Sequence, residues 1–200
     1  VIEGLLVDDA RIEDVALTGA LPPGATVSGA TITGSVLSNV TFAGAELAGL
    51  HLKDCLIAVA DFANTRLTDT MIERCTLRDC RMTGATLIDA RLRDVTFDDC
   101  MLDMTNFAAA RVERVAFSRT ALRETIFEQA RLRDVEFADC DLSGAYMGQA
   151  KCERVDLTST RFAGVHSLSN LRGTRMALPD ILDGAMAFAA ALGIEALDQD

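Results

Sequence analysis

Residues 85–104 read ATLIDARLRDVTFDDCMLDM, and residues 105–124 read TNFAAARVERVAFSRTALRE. A large apolar side chain stands at Leu87, Leu92, Phe97 and Leu102, then at Phe107, Val112, Phe117 and Leu122. Two positions before each stands a small one: Ala85, Ala90, Val95 and Cys100, then Thr105, Ala110, Val115 and Thr120. Both sets recur every five residues. A helix repeats its faces about every 3.6 residues and a strand every two, so neither sustains a clean five. Five implies a corner in every repeat, with one large and one small side chain turned inward.

The phase extends outward from this stretch. From Val27 to Phe162 every fifth residue is apolar, 28 positions without an exception. The small partner runs from Ala25 to Thr160 as Ala, Ser, Thr, Val or Cys, with Leu50 the one departure. Residues 2–20 keep the phase through Ile2, Val7, Ile12 and Leu17. Leu21-Pro22-Pro23-Gly24 breaks it, because Pro22 falls where an apolar side chain should point in, and a local loop is expected there. A fixed short period sustained over most of a chain is the signature of a solenoid.

Columns of charge measure the coil. A coil of 20 residues stacks side chains 20 apart, about 4.8 Å from one another. One such column reads Lys53, Glu73, Arg93, Glu113, Arg133, Glu153, and the next reads Asp54, Arg74, Asp94, Arg114, Asp134, Arg154. Both alternate in sign throughout, as neighbouring strands favour. A coil of 15 gives no such order: Lys53, Thr68, Thr83, Asp98, Glu113. At 20 per coil, Phe97, Phe117 and Phe137 stack on one side, with Phe107 and Phe127 on the opposite side. The ladders read as register devices between coils.

Motifs such as Ala85-Thr86-Leu87-Ile88-Asp89 and Ala130-Arg131-Leu132-Arg133-Asp134 resemble the pentapeptide-repeat family, over roughly residues 25–165. The resemblance implies an all-β solenoid, a right-handed quadrilateral β-helix with four pentapeptides per coil. The expected organisation is a repeat domain over 1–165 and a C-terminal cap over 166–200.

Composition agrees with such a core. The chain has 200 residues, 50% hydrophobic but only 5% aromatic, with no Trp and one Tyr, so small and aliphatic side chains must fill it. Thirty acids oppose 19 bases, a net charge of −11. That balance argues against direct binding of nucleic acid, which needs a basic footprint. Glu3, Asp8 and Asp9 near the start are unlike the basic opening of a secretory signal. The longest apolar run, Gly184 to Ile194, is shorter than the ~20 residues a bilayer span needs. The expectation is a cytoplasmic protein.

Beyond Ser167 the phase is lost, and a helix is expected at about 179–192. Pro179 suits its first turn, Asp180 and Asp183 its positive end, and Gly193 its stop. Ile181, Leu182, Ala185, Met186, Phe188, Ala189 and Leu192 cover more than one stripe. One stripe would cap the last coil. The surplus, with Ile194 and Leu197 beyond, would pair with a second copy in a symmetric homodimer.

No arrangement names a reaction. Cys55, Cys75, Cys80, Cys100 and Cys140 fall on the small inward position and Cys152 on the large one, so all six read as core thiols. Cys80 and Cys100 would stack in adjacent coils, where a bridge is conceivable. His51 tops the column Met71, Arg91, Arg111, Arg131, Lys151 and reads as a solvated surface residue, and His166 as a loop residue. Phosphate-binding glycine loops, Gly-x-Ser-x-Gly elbows and His-Glu-x-x-His are all absent from the sequence. Catalytic, cofactor-binding and metal-binding residues are therefore not expected, nor a small-molecule substrate or a membrane partner.

Charge is unevenly placed around the axis. The face with the two ladders and the basic column sums to +4, so the remaining regions total −15. The next face carries Asp79, Asp98, Asp99, Glu136, Asp139 and Asp156 against Arg78 and Arg119, net −4. It is the candidate partner-binding face. Ile88, Met104, Ile126 and Tyr146 are outward-pointing apolar residues and a lesser candidate patch. Some members of the pentapeptide-repeat family are acidic, dimeric rods that mimic duplex DNA and protect DNA gyrase from quinolones. The tail Ala185–Ile194 looks like the dimerisation helix of mycobacterial fluoroquinolone-resistance members. The resemblance thus implies a bacterial homodimer that binds gyrase. The alternative is a scaffold for an unknown protein partner without a gyrase role.

Overall fold

The computed structural model describes residues 1–195, so Leu197 lies outside the described residues. The chain winds into a parallel β-solenoid of about eight coils of roughly 20 residues. Each strand pairs in parallel with the one a coil away, for example Leu52 with Ile72, Leu92 with Val112 and Val112 with Leu132. On two faces the strands merge across a corner into eight-residue runs, Arg91–Asp98, Arg111–Ser118, Arg131–Ala138 and Lys151–Thr158. The other two faces of these coils reduce to single bridges such as Met101 to Ala121 and Ile126 to Tyr146.

The five-residue period has a backbone cause that side-chain patterning does not reveal. From Asp9 to Gly164 every fifth residue has positive φ, and these residues turn the corners. Most are Gly, Asp or Asn, the residues that tolerate this left-handed region. Arg74, Met104 and the β-branched Val59 occupy it too, each at a steric cost.

The large inward residues form stacks along the axis. Phe97, Phe117 and Phe137 lie 4.9 Å apart, centroid to centroid, with nearly parallel rings. Phe107 and Phe127 stack at 5.3 Å, and Phe127 meets Phe137 edge-on across the core. Full burial of one such side chain contributes about 1.5–3 kcal/mol, and ring pairing adds about 0.5–1.5. The small inward position admits polar residues because each finds a backbone acceptor. Thr65, Thr105 and Thr160 donate to the carbonyls of Phe42, Met82 and Phe137 at 2.8–3.1 Å, and the Cys140 thiol donates to Phe117.

The first coils depart from the expected phase. Val7 is exposed and Leu6 is buried in its place. The chain starts with a 3-10 turn over Ile2–Gly4, and the Leu6 N–H bonds to the Ile2 carbonyl, which rotates Leu6 inward. At the proline stretch Leu21, not Pro22, fills the core. The reason is a register shift between Leu17 and Gly19: Ala16 pairs with Val36, but Gly19 pairs with Val40. The turn at Pro22-Pro23 restores the spacing, since the Gly24 N–H again meets Gly44.

The distal end closes differently from expectation. Arg175–Met176 adds a short parallel strand to Lys151–Thr158. The expected single helix is two: α1 (Leu178–Asp183) and α2 (Ala185–Ala191). They part at Gly184, where the backbone lies against the Phe162 ring and a Cβ would run into it.

Candidate interaction surfaces

Ion pairs between coils follow a consistent direction. Among the described residues, ten ion pairs join side chains 20 apart, and in eight the acid lies on the earlier coil and the arginine on the later. The column from Asp54 to Arg154 is therefore not a continuous ladder. It resolves into three pairs, Asp54 with Arg74, Asp94 with Arg114, and Asp134 with Arg154. Each arginine spends its planar fork on both oxygens of one carboxylate, leaving little for the acid above. These hydrogen bonds hold all three carboxyls below the ordinary range. The neighbouring column is looser still: Arg133 reaches Glu153 at 3.8 Å, while Glu113 and Glu153 bond sideways to Arg114 and Arg154.

The six acids of the candidate face divide in two. Asp98 and Asp99 are gripped by Arg119, and Arg78 lies 3.4 Å from Asp98. The Arg119 hydrogen bond holds the Asp99 carboxyl below its usual value. Asp156 bonds Arg175 at 2.5 Å. That arginine lies beyond the end of the five-residue phase, so periodicity gave no sign of it, and it lowers the face from −4 to −3. Asp79, Glu136 and Asp139 are left without an ion-pair partner among the described residues. Asp79 and Asp139 sit at left-handed corners, and Glu136 projects from a strand beside Asp156.

The tail presents the largest apolar surface. Leu182, Met186, Leu192 and Ile194 are well exposed, Leu192 to 75%, and Ile181 is 42% exposed. Ala185 is exposed and Ala189 half-buried. Phe188, expected on the dimer face, instead tilts over Phe162 with ring centroids 5.3 Å apart and belongs to the cap. Leu178, the first residue of α1, joins the exposed set. Between the last coil and the two helices lies a groove of about 550 Å³, bordered by Phe162, Asp180, Gly184 and Met186. The Asp180 carboxylate accepts a hydrogen bond from the Ser159 N–H, tying α1 to the coil.

The remaining candidates are modest. Met104 and Tyr146 are exposed but Ile88 and Ile126 are only half so, with Ile126 and Tyr146 neighbours on adjacent coils. His166 is not in a loop: it bridges to Tyr146 and stacks on its ring at 4.4 Å. His51 is half-buried rather than solvated, its Nε2 3.5 Å from Glu73 and without a hydrogen bond. All six cysteines are free thiols, including Cys80 and Cys100. Burial pushes the Cys140 and Cys152 thiols up to about 11. No three metal-capable side chains cluster among the described residues, and none of the described helices is long and apolar enough to cross a membrane.

Family models match most of the repeat region. The pentapeptide repeat region model matches residues 50–127 and 70–147, and the model for pentapeptide repeats in eight copies matches 136–166. No curated protein matches the chain. Solved structures with the same kind of fold include QnrB1, a plasmid-mediated fluoroquinolone resistance protein. It is 19% identical, with 92% of this chain and 100% of that chain covered and a TM-score of 0.43. HetL from the cyanobacterium Nostoc sp. strain PCC 7120, involved in heterocyst differentiation regulation, is 19% identical. There 84% of this chain and 90% of that chain are covered, with a TM-score of 0.39.

Proposed function

From the premise that this chain belongs to the pentapeptide-repeat family, we propose that it is a non-enzymatic interaction protein whose acidic rod takes the place of duplex DNA on DNA gyrase. In this reading it protects the enzyme from quinolone-type inhibitors. The observation that carries the reading is the excess of acid left over after the inter-coil pairs are made. Asp79, Glu136 and Asp139 face outward on one side of a rod whose net charge is −11. A basic DNA groove would attract that side, and salt would screen the attraction. The apolar tail gives the second element: Ile181, Leu182, Ala185, Met186, Leu192 and Ile194 join two rods end to end, doubling the length and the charge.

One observation favours the alternative scaffold with no gyrase role. Half of the candidate acids are bonded to Arg119 or Arg175, while the tail leaves Leu178, Ile181, Leu182, Met186, Leu192 and Ile194 exposed. A supercoiling assay with purified gyrase separates the two. The protein is titrated with and without a quinolone at two salt concentrations. Inhibition of supercoiling, or rescue from the drug, that fades with salt supports mimicry, and Asp79→Arg with Asp139→Arg should abolish it. No effect at micromolar protein sinks the gyrase reading and leaves the scaffold.

A further inference from the structure

One column on the ladder face obeys neither rule of the others. Arg91, Arg111, Arg131 and Lys151 are paired directly, rung on rung, by the parallel register of their strands. All four side chains are exposed. None of them makes an ion pair among the described residues, whereas the columns from Lys53 and Asp54 beside them alternate in sign. Like charges directly opposite one another destabilise a sheet, so this fold carries a repulsion that any acid at residue 111 or 131 would have relieved.

We propose that this stripe is a docking site for a short, extended acidic peptide segment of a partner protein. The surroundings fit an anion. Arg91, Arg111 and Arg131 border a shallow cleft of about 360 Å³ whose other side is Asp69 and Asp89 toward its lower end and Ala109 and Gln129 toward its upper, so that Arg111 and Arg131 face neutral side chains. Asp89 closes the lower end against a carboxylate. Guanidinium forks bind carboxylates bidentately. Four rungs about 4.8 Å apart span about 14 Å, and an extended peptide with acids at three alternate positions covers about 13 Å.

Duplex DNA fits less well. It would bring about eight charges over the same length against four bases, and its flanks would lie against a body of net charge −11. The proposal does not depend on the gyrase reading, which concerns other faces of the rod.

Fluorescence anisotropy of a labelled Glu-Thr-Glu-Thr-Glu peptide, titrated with the full chain, tests it. Binding is expected at low salt, weaker at high salt, and at least tenfold weaker for the double variant Arg111→Gln with Arg131→Gln. The matching Gln-Thr-Gln-Thr-Gln peptide should not bind. Since the double variant loses only a repulsion, it should melt no lower than the native chain. The proposal is overturned if the native chain ignores the acidic peptide, if the double variant binds it equally, or if a labelled DNA duplex binds more tightly. A lower melting temperature for the double variant would also count against it, because the stack would then be stabilising.

Discussion

Residues 15–45 and residues 91–158 build the same coil by different means. The first stretch contains no charged residue at all. Its strands are three to six residues long, and its corners are glycines at 19, 24, 29, 34 and 44 with Asn39 between. The second has eight-residue strands, corners that are mostly Asp, Arg and Gln with a single glycine at 144, and charge columns along one face. The only register shift between paired described strands lies in the uncharged stretch, between Leu17 and Gly19. Backbone bonds and inward side chains alone tolerate a slip of one there, because nothing outside the core is mismatched by it. In the charged stretch a slip would set like charges together, and register is specified twice.

The comparison can be tested by removing what the two stretches share and then what they do not. The shared term is the stacked core. Phe117→Ala, at the centre of three stacked rings, should cost about 3–5 kcal/mol, and Leu37→Ala in the uncharged stretch about 2–5. Denaturant unfolding should show both losses. If Phe117→Ala costs under about 1 kcal/mol, the rings do not hold the middle coils.

Next come the corners. Gly34→Ala puts a Cβ on a left-handed residue beside the Asp14 carboxylate and should lose about 1–2 kcal/mol. Val59→Asn relieves the same strain and should gain about 1 kcal/mol. Opposite signs at two equivalent corners would establish that the five-residue period is a backbone property. Equal signs would dissolve that account.

The smallest effect belongs to the charges. The carboxyls of Asp54, Asp94 and Asp134 are held below their ordinary values by arginine. A group with a lowered folded-state pKa stabilises above its unfolded value, about 3.9, and that contribution is lost as pH falls through the folded value. Melting temperature should therefore fall below about pH 4, and less so for Asp94→Asn with Asp134→Asn. High salt should reduce the difference. A double variant with an unchanged acid profile would remove the ladder from the account of register.

The period, the coil length and the ring stacks were legible in the sequence because each is a direct consequence of side chains at a fixed spacing. Val7 departs from the phase because of the 3-10 turn at Ile2–Gly4, while the loop expected at Pro22 is present, with the register shift after Leu17 turning Leu21 inward in its place. Gly184 reads as a tolerated helix residue until Phe162 is seen against it. Alternation of sign predicted a ladder, but Arg114 and Arg154 give two nitrogens to the acid below and the third sideways to Glu113 or Glu153, not to the acid above. Arg175 lay beyond reach of any period, since the strand it belongs to follows an irregular segment of the chain.

The direction of the inter-coil pairs bears on how the molecule is made. In eight of the ten pairs a ribosome delivers the acid before the arginine that will answer it. Until a later coil arrives, the acids of those pairs, such as Asp94, Asp99 and Asp103, stand unanswered at the open rim. That rim is also a row of unpaired strand edges, the place where two unfinished chains would otherwise join. Negative charge at such a rim opposes that joining, and the next coil brings the arginines that neutralise it.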